Sequence, residues 1–335
     1  MPFGWLYGTI TSLRNRLYDK GVLKSYQSRL KTIVVGNLQV GGSGKTPHTA
    51  MLYLWLSNYY KVGILSRGYG RKTKGLLVAD ATSSAETIGD EPFWYHRTLP
   101  DASVVVAEER KLGLAYFEKN GTELVLLDDA YQHRAVTCNL NILLSDYKLP
   151  YYNDHVMPYG RLREWKTADK RAHIIIITKC PANLKLEQKI EMIQAINPFD
   201  YQHVFFTGIK AHKPFGLKDS IDFEDNNMGR LIAMSGIANP ASFAAQCELL
   251  NKHVVVYNFA DHYDYTAADI AKLLKTLGPT DVVMVTEKDA SKLLKPELLK
   301  LIPENKFYVL PVEIYFLFNE EERFKETVKP YLKDI

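Results

Sequence analysis

An α/β fold is predicted: a parallel-sheet domain, a second, smaller α/β domain and an N-terminal amphipathic helix. Three observations predict it. Short apolar runs rich in Val, Ile and Leu lack polar alternation, as strands buried on both faces do. Helix-length segments separate these runs, as right-handed crossovers require. The first run is followed by a glycine-rich turn that ends in Lys45-Thr46.

Bulk properties narrow the function classes. A chain of 335 residues suits about two domains. Hydrophobic residues make up 46% and charged residues 24%, as in a soluble packed protein. A net charge of +4 is too small for a polycation, so no nucleic-acid partner is expected. Cys138, Cys180 and Cys247 lie far apart, without zinc spacing, and fit a reducing compartment. No apolar stretch is long enough to span a bilayer, and no basic segment precedes an apolar one as in a signal peptide. The cytoplasm is the default, and no obligate protein partner is evident.

Residues 1–30 come first. Phe3, Leu6, Ile10, Leu13 and Leu17 recur at steps of three and four, one face of a helix. Arg14, Arg16, Lys20, Lys24 and Arg29 stand against a single acid, Asp19. Such a helix suits either a membrane interface with anionic headgroups or docking on its own domain. Strands are predicted at 32–36, 62–66, 76–79, 103–107, 124–128, 140–145 and 173–178, with helices such as 47–60 and 108–120 between them. The pattern restarts with strands at 230–234, 254–259, 281–286 and 306–312 and helices near 240–251 and 267–277. The expected division is a helix at 1–30, a nucleotide domain at 31–207 and a smaller domain at 208–335 that closes a cleft. The last helix of the smaller domain is free to pack back on the nucleotide domain.

The turn after the first strand, Gln39-Val40-Gly41-Gly42-Ser43-Gly44-Lys45-Thr46, resembles a Walker A loop with Gln39 where its first glycine belongs. The physics survives that loss. Gly41, Gly42 and Gly44 let the backbone curl with its N–H groups inward, and the following helix adds its dipole. Lys45 reaches β- and γ-phosphates, and Thr46 offers a hydroxyl to Mg2+. A P-loop NTPase-type sheet is therefore expected. Thr178-Lys179-Cys180-Pro181 lacks the Asp that reads guanine, so ATP is favoured over GTP.

Other candidates gain meaning beside that loop. Asp128 and Asp129 end an apolar strand, where ligands of parallel sheets gather, and suit Mg2+ or a helix cap. Asp90 and Glu91 before Pro92 make a good helix start on their own. Arg161 and Arg163 read as a solvated basic turn or a phosphoryl clamp. His262, in a loop of the second domain, matters only if a cleft brings it to an acid.

Taken in order, these segments resemble the tetraacyldisaccharide 4'-kinase (lipid A 4'-kinase) family. The matching stretches are Val35-Gly36-Asn37 with Val40 to Pro47, Ser66-Arg67-Gly68-Tyr69-Gly70-Arg71, Gly89-Asp90-Glu91-Pro92, Asp128-Asp129-Ala130-Tyr131-Gln132-His133 and Pro158-Tyr159-Gly160-Arg161-Leu162-Arg163-Glu164. They continue with Ser235-Gly236-Ile237-Ala238-Asn239-Pro240, Asp261-His262-Tyr263 and Thr286-Glu287-Lys288-Asp289. The family's own loop lacks the first glycine. This chain departs from it at Ala130 and Tyr131, where Gly and Phe are usual, and at Tyr159 and Arg161.

The resemblance implies transfer of the γ-phosphoryl of ATP to the 4'-hydroxyl of a lipid A disaccharide precursor. By position it implies that Lys45 and Arg163 neutralise the moving phosphoryl. Asp90 would be the general base, completed by His262. Thr46, Asp128, Asp129 and Glu164 would be the metal side. The N-terminal helix would rest on the cytoplasmic face of the inner membrane, where the acylated acceptor lies. A membrane-recruited switch ATPase shares the loop and the basic helix, but carries a lysine at the position of Val40. A soluble small-molecule kinase leaves the basic helix unexplained.

Overall fold

The computed structural model describes the chain apart from residues 1, 100, 220, 225–227, 238, 262 and 334–335. Its strands are β1 (Tyr26–Gln27), β2 (Lys31–Asn37), β3 (Val62–Ser66), β4 (Leu77–Val78), β5 (Ser103–Val106), β6 (Leu124–Asp128), β7 (Val136–Thr137) and β8 (Leu140–Asp146). After these come β9 (Ile174–Thr178), β10 (His203–Ala211), β11 (Phe215–Gly216), β12 (Leu231–Ser235), β13 (Val254–Asn258), β14 (Val282–Thr286), β15 (Phe307–Leu310) and β16 (Val312–Phe316). The helices are α1 (Pro2–Asp19), α2 (Lys45–Leu56), α3 (Ala85–Ile88), α4 (Asp90–Thr98), α5 (Arg110–Lys119) and α6 (Leu186–Ile196). The later ones are α7 (Pro240–Glu248), α8 (Ala267–Leu274), α9 (Glu287–Leu293), α10 (Pro296–Leu299) and α11 (Glu321–Val328).

Nine strands form the large sheet in the order β16-β10-β9-β8-β2-β6-β3-β5-β4. Its seven inner strands are parallel, and β4 and β16 run antiparallel at the edges. Every residue of β3, β6 and β9 is buried, which is why those stretches read as unbroken apolar runs. One face packs Leu114 and Phe117 of α5 and Ile196 of α6. The other packs Leu52 and Leu56 of α2, Trp94 and Tyr95 of α4, and Phe324 and Val328 of α11.

The second sheet has the order β11-β15-β14-β12-β13 and is parallel apart from β11. The run predicted as one strand at 306–312 is divided. β15 pairs with β14, whereas β16 crosses back to pair with β10, Thr207 opposite Phe316 through Ala211 opposite Val312. Pro311, which has no N–H to give a ladder, stands between them. The chain thus leaves the large sheet after β10 and returns through β16, and α11 seals the α2 face. Two strands join the sheets, and α4 packs directly on α9 beside them.

Helix α1 docks through its small residues. A Cβ on Gly8 would fall 2.5 Å from the Trp165 ring, and one on Gly4 would fall 2.7 Å from Tyr159. Leu6, Ile10 and Leu13 lie on the opposite side and are each about 60% exposed. Leu6, Ile10 and Leu13 of the apolar face predicted from the sequence therefore point away from the protein, while Leu17 is half-buried. Among the described residues no helix is long and apolar enough to cross a membrane.

Candidate active site

Residues 39–46 turn from the end of β2 into α2. Positive φ falls at Gly41 (113°) and Gly44 (84°) and not at Gln39. The first Walker glycine is dispensable here because the chain keeps an ordinary conformation at that point. Gln39 instead ties the loop outward, its amide donating to Leu149 O at 3.0 Å and Asp154 Oδ2 at 2.8 Å. Val40 donates its N–H to Arg161 O at 2.8 Å.

Three consecutive carbonyls of the loop each meet a side-chain donor. Lys179 Nζ holds Gly42 O, Thr178 Oγ1 holds Ser43 O at 3.0 Å, and His48 Nδ1–H holds Gly44 O at 2.7 Å. A carbonyl only accepts, so the proton of His48 sits on Nδ1 and Nε2 accepts from the Thr207 hydroxyl at 3.0 Å. Burial, aided by the Lys179 charge, holds the His48 imidazole down to about 4, so it stays neutral. Asn37 Nδ2 fixes the Ser43 hydroxyl at 2.8 Å. These bonds hold three of the loop's carbonyls to side chains, and with Gly41 and Gly44 at positive φ the turn is suited to a phosphate nest.

Acids gather at the carboxyl end of β6. Asp128 is buried, and its Oδ1 has no hydrogen-bond partner. Burial first, then the neighbouring Asp129 and Glu91 carboxylates, push it up to about 7. Asp129 sits at φ 46°. Burial alone would raise it, but Lys45 and Arg163 outweigh burial and hold it below the usual carboxylate range. Lys45 Nζ is 3.8 Å from Asp129 Oδ1, and Arg163 Nη1 is 3.2 Å away. An orphaned, buried carboxylate oxygen in a cleft that the Thr46 hydroxyl also lines fits Mg2+, which takes few protein ligands plus phosphate oxygens. Asp128 and Thr46 are the residues that would hold it.

Glu164 stands differently from the other acids. Its carboxylate accepts from Arg171 at 2.6 Å, Asn15 at 2.7 Å and Gln132 at 3.3 Å. Those bonds occupy it and anchor α1, so the metal-side role implied by the resemblance meets a carboxylate already engaged.

Asp90 opens α4 just after Gly89, whose φ of 96° and ψ of 157° suit glycine alone. Its carboxylate is 3.3 Å from Lys292 Nζ. Lys292, 3% exposed, also donates to Tyr263 O at 2.9 Å. One buried ammonium therefore joins Asp90 to the loop that carries residue 262. His262 itself lies outside the described residues. The sequence reading missed Lys292 and weighed Lys179 only within a guanine-reading segment, not as a support of the loop. Their only signal was a Lys four residues after Lys288, on the same helical face, and a Lys closing the β9 run.

The remaining motifs hold the second domain together. Thr286 caps α9 by accepting from Asp289 N, and Asp289 Oδ1 accepts from Gly236 N and the Tyr265 hydroxyl. Lys288 reaches over to Glu91 at 3.5 Å. Among the described residues no group of three or more His, Cys, Asp or Glu forms a metal cluster.

Comparison with known proteins decides the family. A family profile described as tetraacyldisaccharide-1-P 4'-kinase (LpxK) matches residues 1–333. The chain belongs to that family. Relatives named tetraacyldisaccharide 4'-kinase include one from Phocaeicola vulgatus, 35% identical over 99% of this chain and 94% of its own. Another, from Flavobacterium johnsoniae, is 37% identical over 99% and 96%. The crystal structure of LpxK from Aquifex aeolicus in complex with ATP superposes with a TM-score of 0.77 at 30% identity, covering 99% of this chain and 98% of that one. The fold is thus of the P-loop NTPase type expected from the loop.

Proposed function

We propose that the chain transfers the γ-phosphoryl of ATP to the 4'-hydroxyl of a tetraacyldisaccharide 1-phosphate, at the cleft between its two sheets. The observation that carries this reading is the family match over residues 1–333. The glycine loop that leads into α2 through Lys45 and Thr46 supports the nucleotide part.

Lys45 and Arg163 converge on Asp129, so two cations stand where a terminal phosphate would lie. They stabilise the charge that spreads over its oxygens as the bond to ADP breaks. Bound Mg2+ would neutralise further charge on the β- and γ-phosphates. Asp90 accepts the proton of the attacking hydroxyl as the new P–O bond forms, and ADP leaves with the electron pair of the broken bond. Lys292 joins Asp90 to Tyr263 O, and His262 is the partner that the resemblance gives to this base.

In this reading α1 rests on the inner-membrane surface. Its support is the outward row of Leu6, Ile10 and Leu13, beside Arg14 and Arg16. An acceptor with several acyl chains leaves a bilayer at a cost of about 0.8 kcal/mol per CH2, so a surface enzyme suits it.

Asp90→Asn tests the base. ATP affinity should stay within about twofold while kcat falls by roughly 10²- to 10⁴-fold. An Asn variant with normal turnover would remove Asp90 from the chemistry.

A further inference from the structure

Behind the metal side of the cleft lies a buried polar cluster. Thr46, Glu91 and Asp128 line the cleft itself. Thr49 of α2 and Tyr95 of α4 lie behind them, each 0% exposed. Helix spacing places them there. Thr46 and Thr49 are three residues apart on α2, and Glu91 and Tyr95 are four apart on α4, so each pair shares one helix face. Both helices pack on the same side of the large sheet, with Leu52, Tyr53 and Trp94 around them.

Three atoms of this cluster have no hydrogen-bond partner among the described residues: Tyr95 Oη, Thr49 Oγ1 and Asp128 Oδ1. Burial first, then the Asp128 carboxylate, push the Tyr95 phenol well above its usual range, and the Thr49 and Thr46 hydroxyls act against that rise. The phenol therefore sits among the residues that would hold Mg2+. Phe would fill the same space with no hydroxyl to desolvate, so an orphaned phenol here calls for a physical reason. Donor and acceptor types supply one. A carboxylate only accepts, with room for about four contacts, whereas each hydroxyl brings one proton to donate. Thr49 O–H can serve Tyr95 Oη, and Tyr95 O–H can serve Asp128. The carboxylate keeps lone pairs for a metal.

We propose that Tyr95 is a positioning residue for Mg2+: with Thr49 behind it, its hydroxyl holds the Asp128 carboxylate in the orientation that the metal takes. This rests on the kinase reading and on Asp128 as a carboxylate of the metal side. Groups that orient a metal's ligands by hydrogen bonds set its affinity as well as the ligands do. Tyr95 also shares α4 with Asp90, five residues away. The helix that begins with the proton acceptor is thereby braced against the carboxylate of the metal.

The test is Tyr95→Phe, which deletes one oxygen and keeps the ring. Calorimetry measures the Kd of a non-hydrolysable ATP analogue with Mg2+ and with EDTA. Wild type should bind more tightly with Mg2+. The variant should lose about 10-fold or more of that gain and keep its Kd in EDTA. Its Tm should hold or rise, because an orphaned hydroxyl is gone. Its transfer rate should recover as Mg2+ is raised. Thr49→Val should narrow the same gain less strongly, and it keeps the test valid if Tyr95→Phe folds poorly. A full Mg2+ gain in Tyr95→Phe, or in Thr49→Val where Tyr95→Phe does not fold, overturns the proposal. So does an equal weakening of both Kd values, which would make Tyr95 a packing residue. Wild type with no gain from Mg2+ would instead contradict the metal site on which the proposal rests.

Discussion

Asp128 and Gln39 show what single residues settle. The Asp128 carboxyl ordinarily titrates near 3.8 and here sits near 7. Below pH 3.8 it is protonated in both the folded and unfolded chain. As pH rises from 4 to 7 the unfolded chain ionises first, so the folded protein without metal loses stability over that window. Asp128→Asn should therefore raise the Tm of the metal-free protein at pH 8, while abolishing Mg2+-dependent transfer. A lower Tm would mean that the carboxylate serves structure rather than metal. Gln39 departs from the sequence pattern, yet its consequence was legible because the remaining glycines carry the positive φ. Lys179, Thr178 and His48 were not legible as loop supports. Their acceptors, Gly42, Ser43 and Gly44, lie more than 130 residues away for the first two, and only the strand order β8-β9 beside β2 brings them together.

At the scale of elements, α3–α4 and α9 meet through charge. Lys288, Lys292 and Lys295 recur at steps of four and three along α9 and beyond its end, and they face Glu91 at 3.5 Å, Asp90 at 3.3 Å and Glu86 at 3.8 Å. The outer pairs are partly exposed and contribute little to stability. In the inner pair Lys292 is buried and Asp90 half-buried, and Lys292 positions the proposed base. Lys292→Met should lower kcat at least ~10-fold, as expected for a misplaced proton acceptor, and leave the KM for ATP unchanged. Small amines such as ethylammonium should restore part of the rate. A uniform rise in both KM values without rescue would mark Lys292 as structural only. Gly89→Ala should cost about 1–3 kcal/mol, because its Cβ would meet Tyr69 O at 2.9 Å in a conformation only glycine favours. Urea denaturation measures that loss. Six of the seven inner strands were legible because they read as buried apolar runs, but β10 (His203–Ala211) was not predicted, and the expected domain boundary at 207 falls inside it. The split of 306–312 was not, because β16 is chosen by its distant partner β10.

Beside the short β1-β7 pair, the described residues form two main sheets joined by β10 and β16, with the proposed ATP groups on the large sheet and Lys288, Lys292 and Tyr263 arriving from the small one. The outward apolar face of α1 adds a third surface. Deleting residues 2–19 should reduce turnover of vesicle-bound acceptor far more than turnover of a short-chain soluble acceptor, and equal losses would give α1 a folding role instead. The sequence showed that α1 is amphipathic. It did not show which face docks, because two glycines against Trp165 and Tyr159 decide that, and both aromatics come from a distant loop. The most direct measurement follows γ-labelled ATP incubated with the protein and tetraacyldisaccharide 1-phosphate in mixed micelles, with the label then located on the lipid. The account predicts label at the 4' position with wild type and none with Lys45→Ala or Asp90→Asn. Label released only as inorganic phosphate, or found on the lipid regardless of those two residues, would contradict it.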